Sequence, residues 1–356
     1  MTKNFHTSQS TLSAPARLWM RRWLVLLAVM VYAMILVGGA TRLTDSGLSI
    51  TEWKPISGAI PPTSDAHWDE LFDLYQDTAE FRLQNSSMSL EEFKYIYWWE
   101  WGHRQLGRWI GVIAIAGFLV FLRNGWLKEG WGARFAFLII LGGLQGAIGW
   151  WMVASGIGET TRVDVAPYRL MTHFCLALFI IGVIAWYWMR LDQRQLNARF
   201  SGSFAFFSLF ALLIFVQMAS GALVAGLDAG RTYTDWPLMA GQFVPSGYVD
   251  PLLGMRNPFE NIAMAQFNHR MLAYLIGFIG IGLLVRRILA VGLTGRYHAP
   301  VLLLSASIVF QILWGIFTLV NVAPLSLALV HQGVGVIVLI LAIRTTFKAR
   351  YQLSDN

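Results

Sequence analysis

Eight apolar stretches, each long enough to cross a bilayer as a helix, run through this chain at about 21–42, 103–123, 134–155, 169–189, 204–226, 268–288, 299–321 and 325–346. Backbone groups inside hydrocarbon find no water, so each span must satisfy its own hydrogen bonds. An all-α integral membrane protein is therefore expected. The composition agrees, with 56% hydrophobic and 13% charged residues, well outside the balance of soluble domains.

The charges orient the spans. Segments on the side of the N-terminus carry Lys3, Arg17, Arg21, Arg22, Arg123, Lys128, Arg134, Arg190, Arg194, Arg199, Arg286, Arg287, Arg296, Arg344, Lys348 and Arg350, against three acids, Glu129, Asp192 and Asp355. The first loop on the other side, 43–102, holds eleven acids. The positive-inside rule makes both termini cytoplasmic. The net charge of +7 then lies at the anionic inner leaflet and calls for no nucleic-acid partner. Arg21 and Arg22 before an apolar run ending in VGGA resemble a signal peptide, but the run is too long and its tail recurs later. Cys175 is alone and reads as a small core residue.

The chain repeats itself. ITEWKPISG at 50–58 matches YTDWPLMAG at 233–241, and Gln145 and Gly149 match Gln311 and Gly315 at an offset of 166. Spans 1–4 thus correspond to spans 5–8, a parallel repeat about an axis along the membrane normal. Two tandem pseudo-symmetric four-helix bundles follow. The expected division is a cytoplasmic tail at 1–20, a first bundle at 21–190, a linker at 191–203, a second bundle at 204–346 and a tail at 347–356. Within the long external loop, 64–83 reads as an amphipathic helix capped at Ser64 or Asp65, and Ser89 with Glu92 forms a capping box. Trp98, Trp99 and Trp101 fit an interfacial belt.

Four histidines stand at one depth. His103 and His269 are 166 residues apart, and His173 and His331 complete one pair in each half. All four lie at or near the outer ends of spans running inward. Histidine inside a membrane segment is costly and marks function. One turn after each comes a small residue, Gly107, Ala177, Ala273 and Gly335, which leaves room for a flat porphyrin. Two bis-histidine haem sites follow, one per bundle. Zinc suits the residue type but wants carboxylate or thiolate company. His6, His67 and His298 lack the pattern and read as solvent or interface residues.

Arg104 and Arg270 follow the first histidine of each pair. Two uses are open: pairing with haem propionates, or snorkelling to lipid headgroups. Arg42 and Arg108 have weaker claims. Glu100 lies one turn before His103, where the second half has Gln266. An acid at the first site alone suggests that chemistry happens there, as a proton carrier or charge stabiliser. The bland alternative is a solvated interfacial glutamate.

The segments GGATRLTDSGLSITEWKPISGAIPP, EWGHRQLGR, QGAIGWWMVASG, MTHF, FNHRMLAY and LVHQGVG together resemble haem A synthase over nearly the whole chain. That resemblance implies an oxidoreductase acting on a CH group, which oxidises a methyl group of haem O to a formyl group. The product, haem A, serves cytochrome c oxidase. It implies substrate haem between His103 and His173, with Gly107 and Arg104 beside it and Glu100 as the essential acid. It implies permanent haem b between His269 and His331, with Ala273, Gly335 and Arg270 beside it. Successive hydroxylations would give a geminal diol that loses water to the aldehyde. The first external loop has no cysteine, so the chain resembles the cysteine-free subclass of proteobacteria and mitochondria, and a thiol relay is in doubt. Without a recognisable presequence, a bacterial inner membrane is expected, with the haem sites near the periplasmic side. Implied partners are haem O, an unidentified electron donor or acceptor, haem O synthase and oxidase assembly factors. The rival readings are a dihaem b-type protein passing electrons from quinol, and a haem carrier without catalysis.

Overall fold

The structure is a computed structural model, described for residues 12–158, 160–192, 198–291 and 299–351. Lys3, His6, Arg194, Arg296, His298 and Asp355 lie outside the described residues, as do 193–197 of the expected linker and the ends of both tails. In chain order the helices are α1 (Ala14–Leu43), α2 (Asp65–Gln76), α3 (Ala79–Leu83), α4 (Leu90–Arg123), α5 (Trp131–Val153), α6 (Pro167–Asp192), α7 (Gly202–Gly226), α8 (Ala229–Thr232), α9 (Asn257–Glu260), α10 (Ile262–Val291), α11 (Ala299–Val320) and α12 (Leu325–Tyr351). Eight of them, α1, α4, α5, α6, α7, α10, α11 and α12, are long and apolar enough to cross a membrane. No strand is formed among the described residues. This is a multi-pass, all-α membrane protein.

The helices outrun the apolar stretches because helix continues through charged residues once it has nucleated. Ser13 caps α1, accepting from the Ala16 amide at 3.3 Å, and α12 carries Lys348 and Arg350 in its last turn, where cations suit the helix dipole. The capping box at Ser89 is present, with the Ser89 amide donating to Glu92 at 2.8 Å. The amphipathic segment at 64–83 is two helices, not one. Thr78 accepts from the Phe81 amide at 3.1 Å and starts α3 afresh, because a threonine hydroxyl caps better than it propagates.

α4 begins well before its apolar stretch, and its first turns carry the long loop that follows α1. Trp68 and Tyr75 of α2 pack on Phe93, Ile96 and Tyr97 of α4 in a small core of their own. Trp98 meets Trp68 and Trp101 edge-on at 5.8 and 5.4 Å, and Trp101 donates to the Gly58 carbonyl at 3.1 Å. Trp98 and Trp101 therefore hold the loop down.

Between the long helices, α1 packs on α4 and α6, and α5 packs on the same two. In the second half α7 packs on α10 and α12, and α11 packs on the same two. Each set closes into a ring, consistent with two related four-helix bundles. They meet where α6 lies against α7 and α12, and α1 against α12. Where that seam meets the C-terminal end of α1, Arg42, 8% exposed, pairs with Asp45 at 2.8 Å, Asp164 at 3.2 Å and Asp228 at 2.6 Å. Asp45 and Asp228 are repeat mates, 183 residues apart, and share left-handed backbone at φ 50° and 49°. One buried guanidinium thus ties both halves and is occupied in doing so.

Candidate haem sites

Each of the four histidines lies against a glycine on the neighbouring helix. A Cβ placed on Gly38, Gly149, Gly221 or Gly315 would stand 2.9, 2.8, 3.1 or 2.6 Å from Cε1 of His103, His173, His269 or His331 respectively. Contacts that close force a shift, so any side chain there would push the ring away. The glycines are what let the rings settle between helices. Within each half the two rings are near enough to interact electrostatically, His103 with His173 and His269 with His331.

Three of the rings share a second neighbour. Gln145, Gln217 and Gln311 sit one turn before Gly149, Gly221 and Gly315. The Gln145 amide nitrogen lies 3.2 Å from both ring nitrogens of His173 and donates to the His173 carbonyl at 3.0 Å. Gln217 does the same at His269, at 3.2, 3.4 and 3.0 Å. Gln311 repeats it at His331, at 3.2, 3.5 and 2.9 Å. Ser220 adds a contact of 2.9 Å to Nδ1 of His269. The Oε1 atoms of all three glutamines are buried and without a partner, a costly state unless something supplies a proton. An imidazole bound to iron through Nε2 keeps its proton on Nδ1, and the Ser220 hydroxyl beside Nδ1 of His269 can accept it. Among the described residues no cluster of three or more His, Cys, Asp or Glu side chains is placed to hold a bare metal ion. The residues fit bis-histidine haem, which needs only two protein ligands per iron.

The small residues after the histidines have a further use. A Cβ on Gly107 would meet Met34 Cε at 3.1 Å, and the Gly335 hydrogen already faces Gln311 and Met218, a Cβ there standing 3.3 and 3.5 Å from them. At these two positions smallness admits side chains of the neighbouring helix. Ala177 is buried, and Ala273 is half-buried.

Glu100 is 3% exposed, not a solvated interfacial acid. Its Oε2 accepts from the Ser49 hydroxyl at 2.8 Å and the Ile50 amide at 2.7 Å. Its Oε1 accepts from Arg104 Nε at 3.0 Å and Nη2 at 2.6 Å. Arg104 also donates to the carbonyls of Ile50 and Glu52 at 2.9 and 3.0 Å. The second half is built differently. Gln266 donates to the Tyr233 carbonyl at 2.8 Å, and Arg270 donates to the Tyr233 and Leu238 carbonyls at 3.0 and 2.9 Å. Both arginines thus latch the repeated loop motif onto the helix that bears the histidine. Arg108 likewise donates to the carbonyls of Pro55 and Lys54, at 2.9 and 3.2 Å. His67 is exposed and stands apart from either pair.

The family of cytochrome oxidase assembly proteins designated COX15-CtaA matches residues 21–343. The chain belongs to this family. It is 56% identical to a protein of Hyphomonas neptunium named haem A synthase, over 96% of this chain and 95% of that one. Proteins of the same name from Dinoroseobacter shibae and Paracoccus denitrificans are 49% and 48% identical, over 96% and 94% of this chain and 90% and 89% of theirs. Within this family member, sequence reasoning missed Gly38, Gly221, Gln217 and Ser49. The Gln-x-x-x-Gly spacing at 145–149 and 311–315 was visible as a repeat. The same spacing at 217–221 was the signal that would have led to the ring neighbours.

Proposed function

We propose that the chain is a haem A synthase, converting haem O to haem A by oxidising a methyl group to a formyl group through successive hydroxylations. The observation that carries this reading is the difference between Glu100, a buried acid one turn from His103, and the amide Gln266 at the matching position. A protein that only passes electrons needs no acid at one site alone. Substrate haem lies between His103 and His173, with Gly107 and Arg104 at its edge. His269 and His331 hold a resident haem b, beside Ala273, Gly335 and Arg270. Haem b supplies one-electron redox chemistry when bound.

In this reading the chain does four things at the first site. His103 and His173 fix the plane of the substrate. Gly38 and Gly149 seat their rings. Glu100 holds a negative charge near the reacting edge, with Arg104 setting its position. The Ser49 hydroxyl, 2.8 Å from Glu100 Oε2, gives the carboxyl a route for a proton toward the external loop. The membrane is the bacterial inner membrane, with termini in the cytoplasm and the haem sites toward the periplasm. The enzyme needs an electron acceptor or donor of its own and works beside the enzyme that makes haem O and the factors that assemble the oxidase.

The test is the pigment. Membranes of a host lacking its own haem A synthase but making haem O are supplied with this chain, and extracted haem is separated by chromatography. Haem A is expected, with haem O or haem A beside haem b in the purified protein. Haem b alone at both sites, and no haem A, refutes the reading in favour of an electron carrier.

A further inference from the structure

The fourfold pattern around the histidines breaks at one place. Gln145, Gln217 and Gln311 each bind the backbone carbonyl of a histidine on the next helix. These bonds staple α5 to α6, α7 to α10 and α11 to α12 at the turn that carries the ligand. The position in α1 that matches Gln217 is Met34, four residues before Gly38. Methionine has no donor for that carbonyl. The match for Ser220 is Val37, so the second ring contact is absent too. Nδ1 of His103 is buried without a partner. The polar support therefore falls in order from His269, with glutamine and serine, through His173 and His331, with glutamine alone, to His103, with neither.

We propose that Met34 makes His103 the labile ligand: His103 lets go of the iron when haem O enters and haem A leaves, while His173 stays in place. This rests on the proposed haem A synthase reading and adds to it which of the two histidines yields. The physical reason is second-shell support. Each glutamine pins the backbone carbonyl of its histidine, and the Ser220 hydroxyl can accept the Nδ1 proton of an iron-bound His269; losing such outer partners loosens the ligand and weakens a metal site. His103 leaves with its electron pair, so the exchange needs no oxidant or reductant. The resident haem b carries the opposite design, with its histidines supported on both sides. Met34 is a positioning residue through the bond it does not make, and its thioether end lies 3.1 Å from where a Gly107 Cβ would stand.

The experiment uses the full-length holoprotein in detergent and follows haem transfer to an excess of apomyoglobin. Met34→Gln is expected to slow release from the first site about three- to tenfold, the worth of one hydrogen bond, and to shift its low-spin electron paramagnetic resonance signal. Met34→Leu, which also lacks a donor, is expected to match the wild type. Gln217→Met is expected to speed release of haem b by a similar factor and leave the first site alone. Release unchanged within twofold in Met34→Gln overturns the proposal. Should Met34→Gln fail to accumulate, Gln217→Met decides, and an unchanged haem b release overturns it. Wild-type protein holding no haem O or haem A would instead refute the proposed function.

Discussion

Replacing Glu100 by glutamine tests whether its charge is chemical or structural. Glu100 receives four hydrogen bonds, two from Arg104, one from Ser49 and one from the Ile50 amide. A glutamine keeps one acceptor oxygen and turns its amide toward either Arg104 or the Ile50 amide, donor against donor. Gln266 gives no licence for the swap, because there the loop offers the Tyr233 carbonyl, which an amide suits. The loss is one charge-assisted bond, ~1.5–3 kcal/mol. Arg104 is partly open to water, which relieves its lost counter-charge and keeps the cost below the ~3–5 kcal/mol of breaking a fully buried pair. The eight-helix core is untouched, so Glu100→Gln should insert, keep haem b and melt a few degrees lower. Haem A production should fall ~10²-fold or more, in the range of general acid–base groups, with haem O retained. Glu100→Gln combined with Arg104→Gln separates the two roles: it should recover part of the melting temperature and none of the activity. The assay is haem extraction and chromatography beside a thermal melt. Haem A within tenfold of wild type, or activity recovered along with stability in the double variant, would refute a chemical role for the carboxylate.

His269→Ala should strip haem b and leave the helices in place, read by the low-spin haem b spectrum and circular dichroism; a full haem b signal would overturn the second site. Gly107→Leu should cut substrate-haem occupancy by overpacking worth ~1–3 kcal/mol. If Met34→Ala restores occupancy to Gly107→Leu, the glycine serves helix packing only. Glu80 is 2% exposed with Oε2 unpartnered, and burial pushes its carboxyl up from 4.5 to about 9. The unfolded group ionises first, so the folded state loses stability from about pH 4.5 upward until about pH 9. Glu80→Gln should therefore raise the melting temperature at pH 7–8 and leave it unchanged at pH 4; equal shifts at both would refute the ionisation account.

The membrane-spanning helices, their number and the internal repeat were legible in the sequence because hydrophobic length and spacing are local properties of the chain. The four histidines were legible for the same reason, since a titratable ring in an apolar run needs no tertiary contact to stand out. Glu100 against Gln266 was visible as a broken repeat. What each does was not. Arg104 sits four residues after Glu100, yet only folding shows that it binds the acid and the 50–52 carbonyls together, because the loop's path depends on α2, α3 and the outer turns of α4. Arg42 carried a weak claim to haem in the sequence, and two aspartates from loops 119 and 183 residues beyond Asp45, together with Asp45 itself, claim it in the fold. Met34 had no sequence signal at all. It is an ordinary apolar residue on an apolar helix, and its meaning lies in a hydrogen bond that its three counterparts make between helices and that it does not.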